Sequence, residues 1–281
     1  MTESDSYAAK LRETDPLREP TLRQIITWLQ LPSGSHGLDV GCGIGTQALM
    51  LAEAIGPEGR VTGVDTSAEF VRMAEATVAA ADKPTRERTG QPGLAERVTF
   101  RQGDMYRLPF EDDSFDWLWS ADCAGYQPAP DPVALLKELA RVVKPGGRVT
   151  LLAWSHQQLL PGYPLLEARL NATAGGIAPF RAGMQPGQHF VRGLGWLREA
   201  GLVDFRTVAF TGSINGPLTN DIKAGVQALI GMRWPGAKAA ISAEDWSLFC
   251  RLTDPKSPDY LLDREDYVGF YTYVVHTGRV G

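Results

Sequence analysis

The chain has 281 residues, 43% of them hydrophobic, with 28 Lys and Arg against 33 Asp and Glu, giving a formal net charge of −5. That length and apolar content support a full core without staples, and an acidic balance with thinly spread basic residues leaves no electrostatic footprint for a nucleic-acid partner. No apolar run approaches the roughly 18 residues of a membrane span, the start MTESDSYAAKLRETD lacks a signal pattern, and Cys42, Cys123 and Cys250 show no metal-ligand spacing. The expectation is a cytoplasmic protein with no stable membrane insertion, no disulfide and no metal.

In chain order, Leu22, Ile25, Ile26 and Leu29 have helical spacing, which predicts a lead-in helix over 20–30 within an N-terminal segment 1–36. GLDV (37–40) reads as a buried strand that runs into Gly41, Gly43 and Gly45 and then into the helix-forming QALMLAEAI. Alternating glycines let the chain bend sharply and expose the amides of the helix start to a ligand, although a tight turn needs no ligand. The third glycine comes one residue too early for a dinucleotide fingerprint, and the carboxylate of Asp39 before the loop is adverse to a pyrophosphate but suits a cation.

RVTGVD (60–65) is a predicted strand, and 66–81 a helix capped by Thr66 or Ser67. Residues 83–96 read as a solvated loop, then 97–104 and 115–120 as strands, and 132–143 as an amphipathic helix. Pro145-Gly146-Gly147 makes a turn into the strand 148–154. This alternation over 37–154 predicts a doubly wound, mostly parallel α/β sheet with helices on both faces and ligands at the carboxyl ends of its strands. Beyond 155 the rhythm breaks. Residues 155–190 read as a lid, 211–266 as a helical cap insertion, and 191–210 with 267–281 as completion of the core sheet.

Four markers resemble the class I S-adenosylmethionine-dependent methyltransferases, in particular the group that includes the ubiquinone and menaquinone biosynthesis enzymes. They are the glycine loop from Asp39 to Thr46; Asp65 at the end of the second strand; Gly103-Asp104-Met105 followed by LPFEDDSFD; and ELARVVKPGGRVTLLAW. The resemblance implies a Rossmann-like sheet of seven strands and transfer of a methyl group from S-adenosylmethionine, leaving S-adenosylhomocysteine. It places the methionine part of the cofactor on Asp39, Gly41, Cys42, Gly43, Gly45 and Thr46. The ribose diol falls to Asp65 with Thr66, since a carboxylate offers two acceptors to two donors. Adenine falls to Gly103 and Asp104, with Met105 either on the ring face or filling core space. Ser120 belongs near the sulfonium. The segment after the fourth strand, Ser120 to Tyr126, lacks the Asn/Asp-Pro-Pro-Tyr run of enzymes that methylate nucleic-acid bases.

Methyl transfer is an in-line displacement in which the protein chiefly positions two reactants, and some acceptors also need a base. His156, Asp122 and Tyr126 are the candidates, with His189 behind them; His36 and His276 read as peripheral. Leu159, Leu160, Tyr163, Leu165, Leu166, Phe180 and Trp234 in the insertions imply an apolar pocket for a small hydrophobic or aromatic acceptor, or else the core of the cap itself. Tyr7 and Arg18 are candidates to fold over the cofactor. Two other functions stay open: a nicotinamide-dependent oxidoreductase, against which stand the glycine spacing, Asp39 and the absence of a Tyr-x-x-x-Lys pair, and a non-catalytic cofactor-binding module on the same fold.

Overall fold

The computed structural model describes residues 3–89, 93–126, 129–173, 184–234 and 236–281, without the side chains of residue 3 and residues 82–89. Its strands are β1 (His36–Val40), β2 (Arg60–Asp65), β3 (Val98–Gln102), β4 (Phe115–Ala121), β5 (Val143–Gln158), β6 (Val203–Asn215) and β7 (Val268–Arg279). They form one sheet in the order β3-β2-β1-β4-β5-β7-β6. The first five pair in parallel, and β7 runs antiparallel to both β5 and β6. This is the doubly wound, seven-stranded α/β sheet that the sequence predicts.

The helices are α1 (Glu3–Leu29), α2 (Thr46–Ala54), α3 (Ala68–Thr89), α4 (Leu94–Arg97), α5 (Pro132–Arg141), α6 (Pro164–Asn171), α7 (Gly193–Glu199), α8 (Asn220–Arg233) and α9 (Ala243–Thr253). A parallel strand covered by helices on both sides must be apolar on both faces, and β4 is: Trp117 and Trp119 pack with α1, α2 and α8, while Leu118 packs with α5 and α7. Helix α5 shows how local sequence fixes an element. The Asp131 side chain accepts from the amides of Val133 and Ala134, Pro132 opens the first turn, and Leu135, Leu136 and Leu139 are buried. Burial of each such leucine stabilises the fold by about 1.5–3 kcal/mol.

Three elements differ from the sequence reading. The lead-in helix begins not near residue 20 but at Glu3, with Pro16 and Pro20 inside it. Its polar first half has little intrinsic drive to be helical and is held by tertiary packing, chiefly against α8, where Gly225 lets the helices approach. A Cβ there would stand 2.8 Å from the Glu13 carbonyl oxygen. Within the predicted loop 83–96, α3 instead runs on to Thr89 and α4 begins at Leu94, residues 90–92 lying outside the described residues. Arg97 ties α4 to the end of α2, donating to the carbonyls of Ala52, Gly56 and Gly59. Finally, β5 runs past Trp154 to Gln158, with a register shift against β7 between Trp154 and His156. Among the described residues no helix is long and apolar enough to cross a membrane.

Candidate active site

Strands β1 and β4 are neighbours whose following segments leave to opposite faces of the sheet, the switch point at which such sheets open a ligand crevice. The glycine loop closes one wall. Gly41, Gly43 and Gly45 all have positive φ (77°, 51° and 82°), yet they do different work. A Cβ on Gly41 would strike the Cys123 side chain and one on Gly45 would strike Ala74 and Phe100, whereas Gly43 meets only a Leu11 methyl at 3.9 Å. Gly41 and Gly45 are therefore required by packing, and Gly43 alone presents bare backbone to open space. The amides of Gly41 and Cys42 are spent on the Val64 carbonyl, and that of Gly45 on the Cys42 carbonyl. Gly45 offers no side-chain cap to α2, so the first-turn amides are left for a ligand.

Asp65 stands at the end of β2, accepting from the Gly43 amide at 3.1 Å and the Ser67 amide at 2.9 Å. It lines the crevice together with Gly41, Cys42, Gly43 and Thr46. Asp39 lies behind the loop, 2% exposed, and its Oδ2 has no hydrogen-bond partner. Burial, aided by the negative charge of Asp65, pushes its carboxyl up to about 7. An uncompensated buried carboxylate is costly, so an orphaned one fits a nearby cationic ligand group. Burial likewise drives the thiols of Cys42 and Cys123 upward, the latter to about 12, which leaves both as neutral packing groups.

Other predicted residues sit less directly. Asp104 is exposed, accepts from the Tyr106 amide at 3.0 Å, and is not among the crevice-lining residues; Met105 packs against the core on the α5 side. Gly103 is held tight between Val64 and Pro109. Thr66 is exposed, and its carbonyl accepts from Gln102; Ser67, not Thr66, caps α3. Ser120 is fully buried, donates to the Val40 carbonyl and accepts from the Ala124 amide, so it braces the turn after β4 rather than lining the crevice.

Helix α1 closes the crevice from above. Thr46 donates to Asp15 at 2.9 Å, and Tyr7, Leu11, Asp15 and Arg18 line the opening. Arg18 bridges Asp15 at 2.9 Å and Asp122 at 3.4 Å, and these two carboxylates hold its charged form against the cost of burial. Asp122 directly follows β4 with φ 52°, an unusual conformation for a non-glycine residue. Three contacts hold it there: Oδ1 accepts from the Trp154 amide at 2.7 Å, and Oδ2 accepts from the Tyr273 hydroxyl at 2.9 Å and from Arg18.

Beyond Asp122 lies a second cavity of about 200 Å³, adjoining a crevice of about 190 Å³ and sharing Tyr7, Leu11, Arg18 and Asp122 with it. Its far walls are Tyr126, Trp154, Leu229, Met232 and Arg233. Arg233 donates to the Tyr126 hydroxyl at 2.7 Å and lies over the Trp154 ring, which itself stacks on Tyr271.

Of the three base candidates, Asp122 and Tyr126 reach this cavity and His156 does not. Ser155 is an extra residue between Trp154, paired with Tyr273, and His156, paired with Thr272. Such a bulge reverses the facing of all that follows. Trp154 points into the cavity while His156 is exposed, near Phe270. His189 caps the 3-10 turn Phe190–Arg192. His276, expected at the periphery, is fully buried between Thr207 and the Phe190 carbonyl, and its imidazole is pushed down to about 4 by burial. His36 lies on β1, bonded to Thr62.

The insertion residues also land elsewhere. Leu159, Leu160, Leu166 and Trp234 are buried with α8 and α9 as core, Tyr163 packs on them, and Leu165 is exposed. Phe180 lies outside the described residues. The cavity is furnished instead by Trp154 and by the last two turns of α8, which no sequence signal distinguished from ordinary amphipathic packing. Among the described residues, no cluster of His, Cys, Asp and Glu has the arrangement of a metal site.

A seven-stranded sheet of this order, with a glycine loop and acidic strand ends at its switch point, defines the class I methyltransferase fold. Residues 38–147 match the family profile described as a methyltransferase domain. It is 36% identical over 140 residues to the methyltransferase GfsG of Streptomyces halstedii (49% of this chain, 45% of the relative). It is 34% identical over 146 residues to a Staphylococcus aureus demethylmenaquinone methyltransferase (52% and 54%). The chain thus spans about half the length of the curated relatives it matches. A solved S-adenosylmethionine-dependent methyltransferase from Aquifex aeolicus shares the fold over 100% of both chains, at 16% identity and a TM-score of 0.53.

Proposed function

We propose that this protein transfers a methyl group from S-adenosylmethionine to a small molecule with an apolar or aromatic body. The observation that carries this reading is the pair of adjoining cavities that meet at Arg18 and Asp122, because a direct transfer needs two reactants held end to end. The crevice has the donor set for a cationic amino-acid cofactor: the orphaned carboxylate of Asp39 beneath the loop, Asp65 for a diol, open space at Gly43 and free amides opening α2. Asp104, Gly103 and Met105 belong to the outer, adenine end of this proposal.

When bound, the cofactor supplies a methyl group on a positively charged sulfur, already activated for displacement. An acceptor lone pair would take that methyl carbon while the carbon–sulfur pair stayed with the departing neutral sulfur, and any acceptor proton would leave to solvent. Trp154, Leu11, Leu229 and Met232 present an apolar face to the acceptor and exclude water from it. Asp122 is fixed by three donors and contributes negative charge at the junction of the two cavities. Burial raises the Tyr126 phenol above its ordinary value, so it enters as a hydrogen-bond donor, not a base. The acceptor is small because α1 and α8 enclose the cavity, and for the same reason it is not a nucleic acid.

Calorimetry with S-adenosylhomocysteine tests the cofactor, and mass spectrometry of reactions with S-adenosylmethionine and panels of phenols, acids, thiols and quinols tests transfer. Saturable binding followed by a methylated product is the expected outcome. Absence of S-adenosylhomocysteine binding to the folded protein overturns the reading.

A further inference from the structure

The two cavities differ in charge. Among the described residues, the crevice carries Asp15, Asp65 and Asp122 against the single cation Arg18, while the adjoining cavity carries Arg18 and Arg233 against Asp122 alone. Arg18 is already paired with Asp15 and Asp122. Arg233 is not: among the described residues no carboxylate lies within ion-pair distance of it, one of its terminal nitrogens donates to the Tyr126 hydroxyl, and its Nε is buried without a hydrogen-bond partner. The face of Trp154 lies 5.4 Å from its guanidinium carbon.

We propose that Arg233 and Tyr126 form a recognition site for an anionic oxygen group, of the carboxylate class, on the acceptor. This rests on the methyltransferase reading and specifies its substrate. A guanidinium matches a planar carboxylate better than any other side chain does, and a cation set among Trp154, Leu229 and Met232 is left wanting a counter-charge. Because Tyr126 accepts from Arg233, its own O–H proton is directed elsewhere, and it adds a second donor to the same group. Trp154 and Met232 then take the apolar body. An acceptor of this kind is attracted to a net positive cavity and faces the cationic sulfur across Asp122, whereas the negative crevice repels it. The charge difference thus sorts the two reactants into their own cavities.

The test uses matched acid and amide probes: phenylacetate and phenylacetamide, trans-cinnamate and cinnamamide, octanoate and octanamide, titrated calorimetrically into the full-length protein with and without saturating S-adenosylhomocysteine. The expected result is that in at least one pair the acid binds about tenfold or more tighter than the amide, the scale of one charge-assisted contact out of water. Arg233→Met abolishes that preference and Arg233→Lys retains part of it, while both variants keep wild-type affinity for S-adenosylhomocysteine, which shows that they fold. Equal binding of acids and amides by the wild type, no binding of any acid up to the millimolar range, or a preference that survives Arg233→Met overturns the proposal. Failure of S-adenosylhomocysteine to bind is read in a separate titration and counts against the cofactor reading instead.

Discussion

Replacement of Asp39 by Asn isolates the charge beneath the glycine loop. The carboxyl is 2% exposed with Oδ2 unpartnered, and burial, with Asp65 adding repulsion, raises it from 3.8 to about 7. With the folded-state value above the unfolded one, the unfolded chain releases its proton first as pH rises. Both states are protonated below about pH 4, so no penalty exists there; stability then falls through the interval to about pH 7 and stays lower above it. About three units at roughly 1.4 kcal/mol each set a ceiling of about 4 kcal/mol. Urea unfolding at pH 5 and pH 8 reads the part of this that lies above pH 5, about two units: the wild type loses stability across the interval, and Asp39→Asn loses less of it by up to about 2.6 kcal/mol. A cationic ligand group beside Asp39 draws the proton off, so affinity for S-adenosylhomocysteine tracks the ionised fraction. With a carboxyl near 7, that fraction rises from about a tenth at pH 6 to about nine tenths at pH 8, giving roughly tenfold tighter binding for the wild type and a flat response for the variant. Parallel pH profiles for the two proteins, in both unfolding and binding, would refute the reasoning.

Three further substitutions probe the site. Asp65→Ala removes the partner of the Gly43 amide together with the proposed diol acceptor, and at about 1.5–3 kcal/mol per hydrogen bond to a charged group it weakens S-adenosylhomocysteine binding by roughly thirtyfold or more in calorimetry; unchanged affinity removes Asp65 from the site. Arg18→Leu leaves the partly buried Asp15 and Asp122 without their shared cation and destabilises the fold by about 1.5–3 kcal/mol in chemical denaturation, a loss that Arg18→Lys reduces; a change below about 0.5 kcal/mol means that the ion pairs are not formed. His156→Ala leaves kcat and cofactor affinity within about twofold, since the bulge at Ser155 turns the ring away from both cavities; a tenfold fall in kcat would restore His156 as the base.

The sheet was legible because its signals are local and redundant: apolar strands, glycine turns and amphipathic helices agree along 37–154. The crevice was legible where backbone geometry dictates residue type: Gly43 and Asp65 both line it. Elsewhere the same letters carried structural duties. Gly41 and Gly45 are fixed by Cys123, Ala74 and Phe100, and Ser120 braces a turn, so motif membership alone did not separate packing duties from crevice-lining ones. The adjoining cavity was scarcely legible at all. It joins Tyr7 on α1, Asp122 after β4, Trp154 on β5 and Arg233 at the end of α8, four segments brought together only by the docking of α1 on α8 across the sheet. A single-residue bulge, with no distinctive sequence, decided that Trp154 and not His156 faces that space.

Crystals grown with S-adenosylhomocysteine put the central claim to its most direct test. The account predicts its amino-acid part against Gly43 above Asp39, its ribose on Asp65, and its sulfur at the junction by Asp122, facing the cavity of Trp154 and Arg233. Density for the ligand anywhere else, or a sulfur turned away from that cavity, would contradict it.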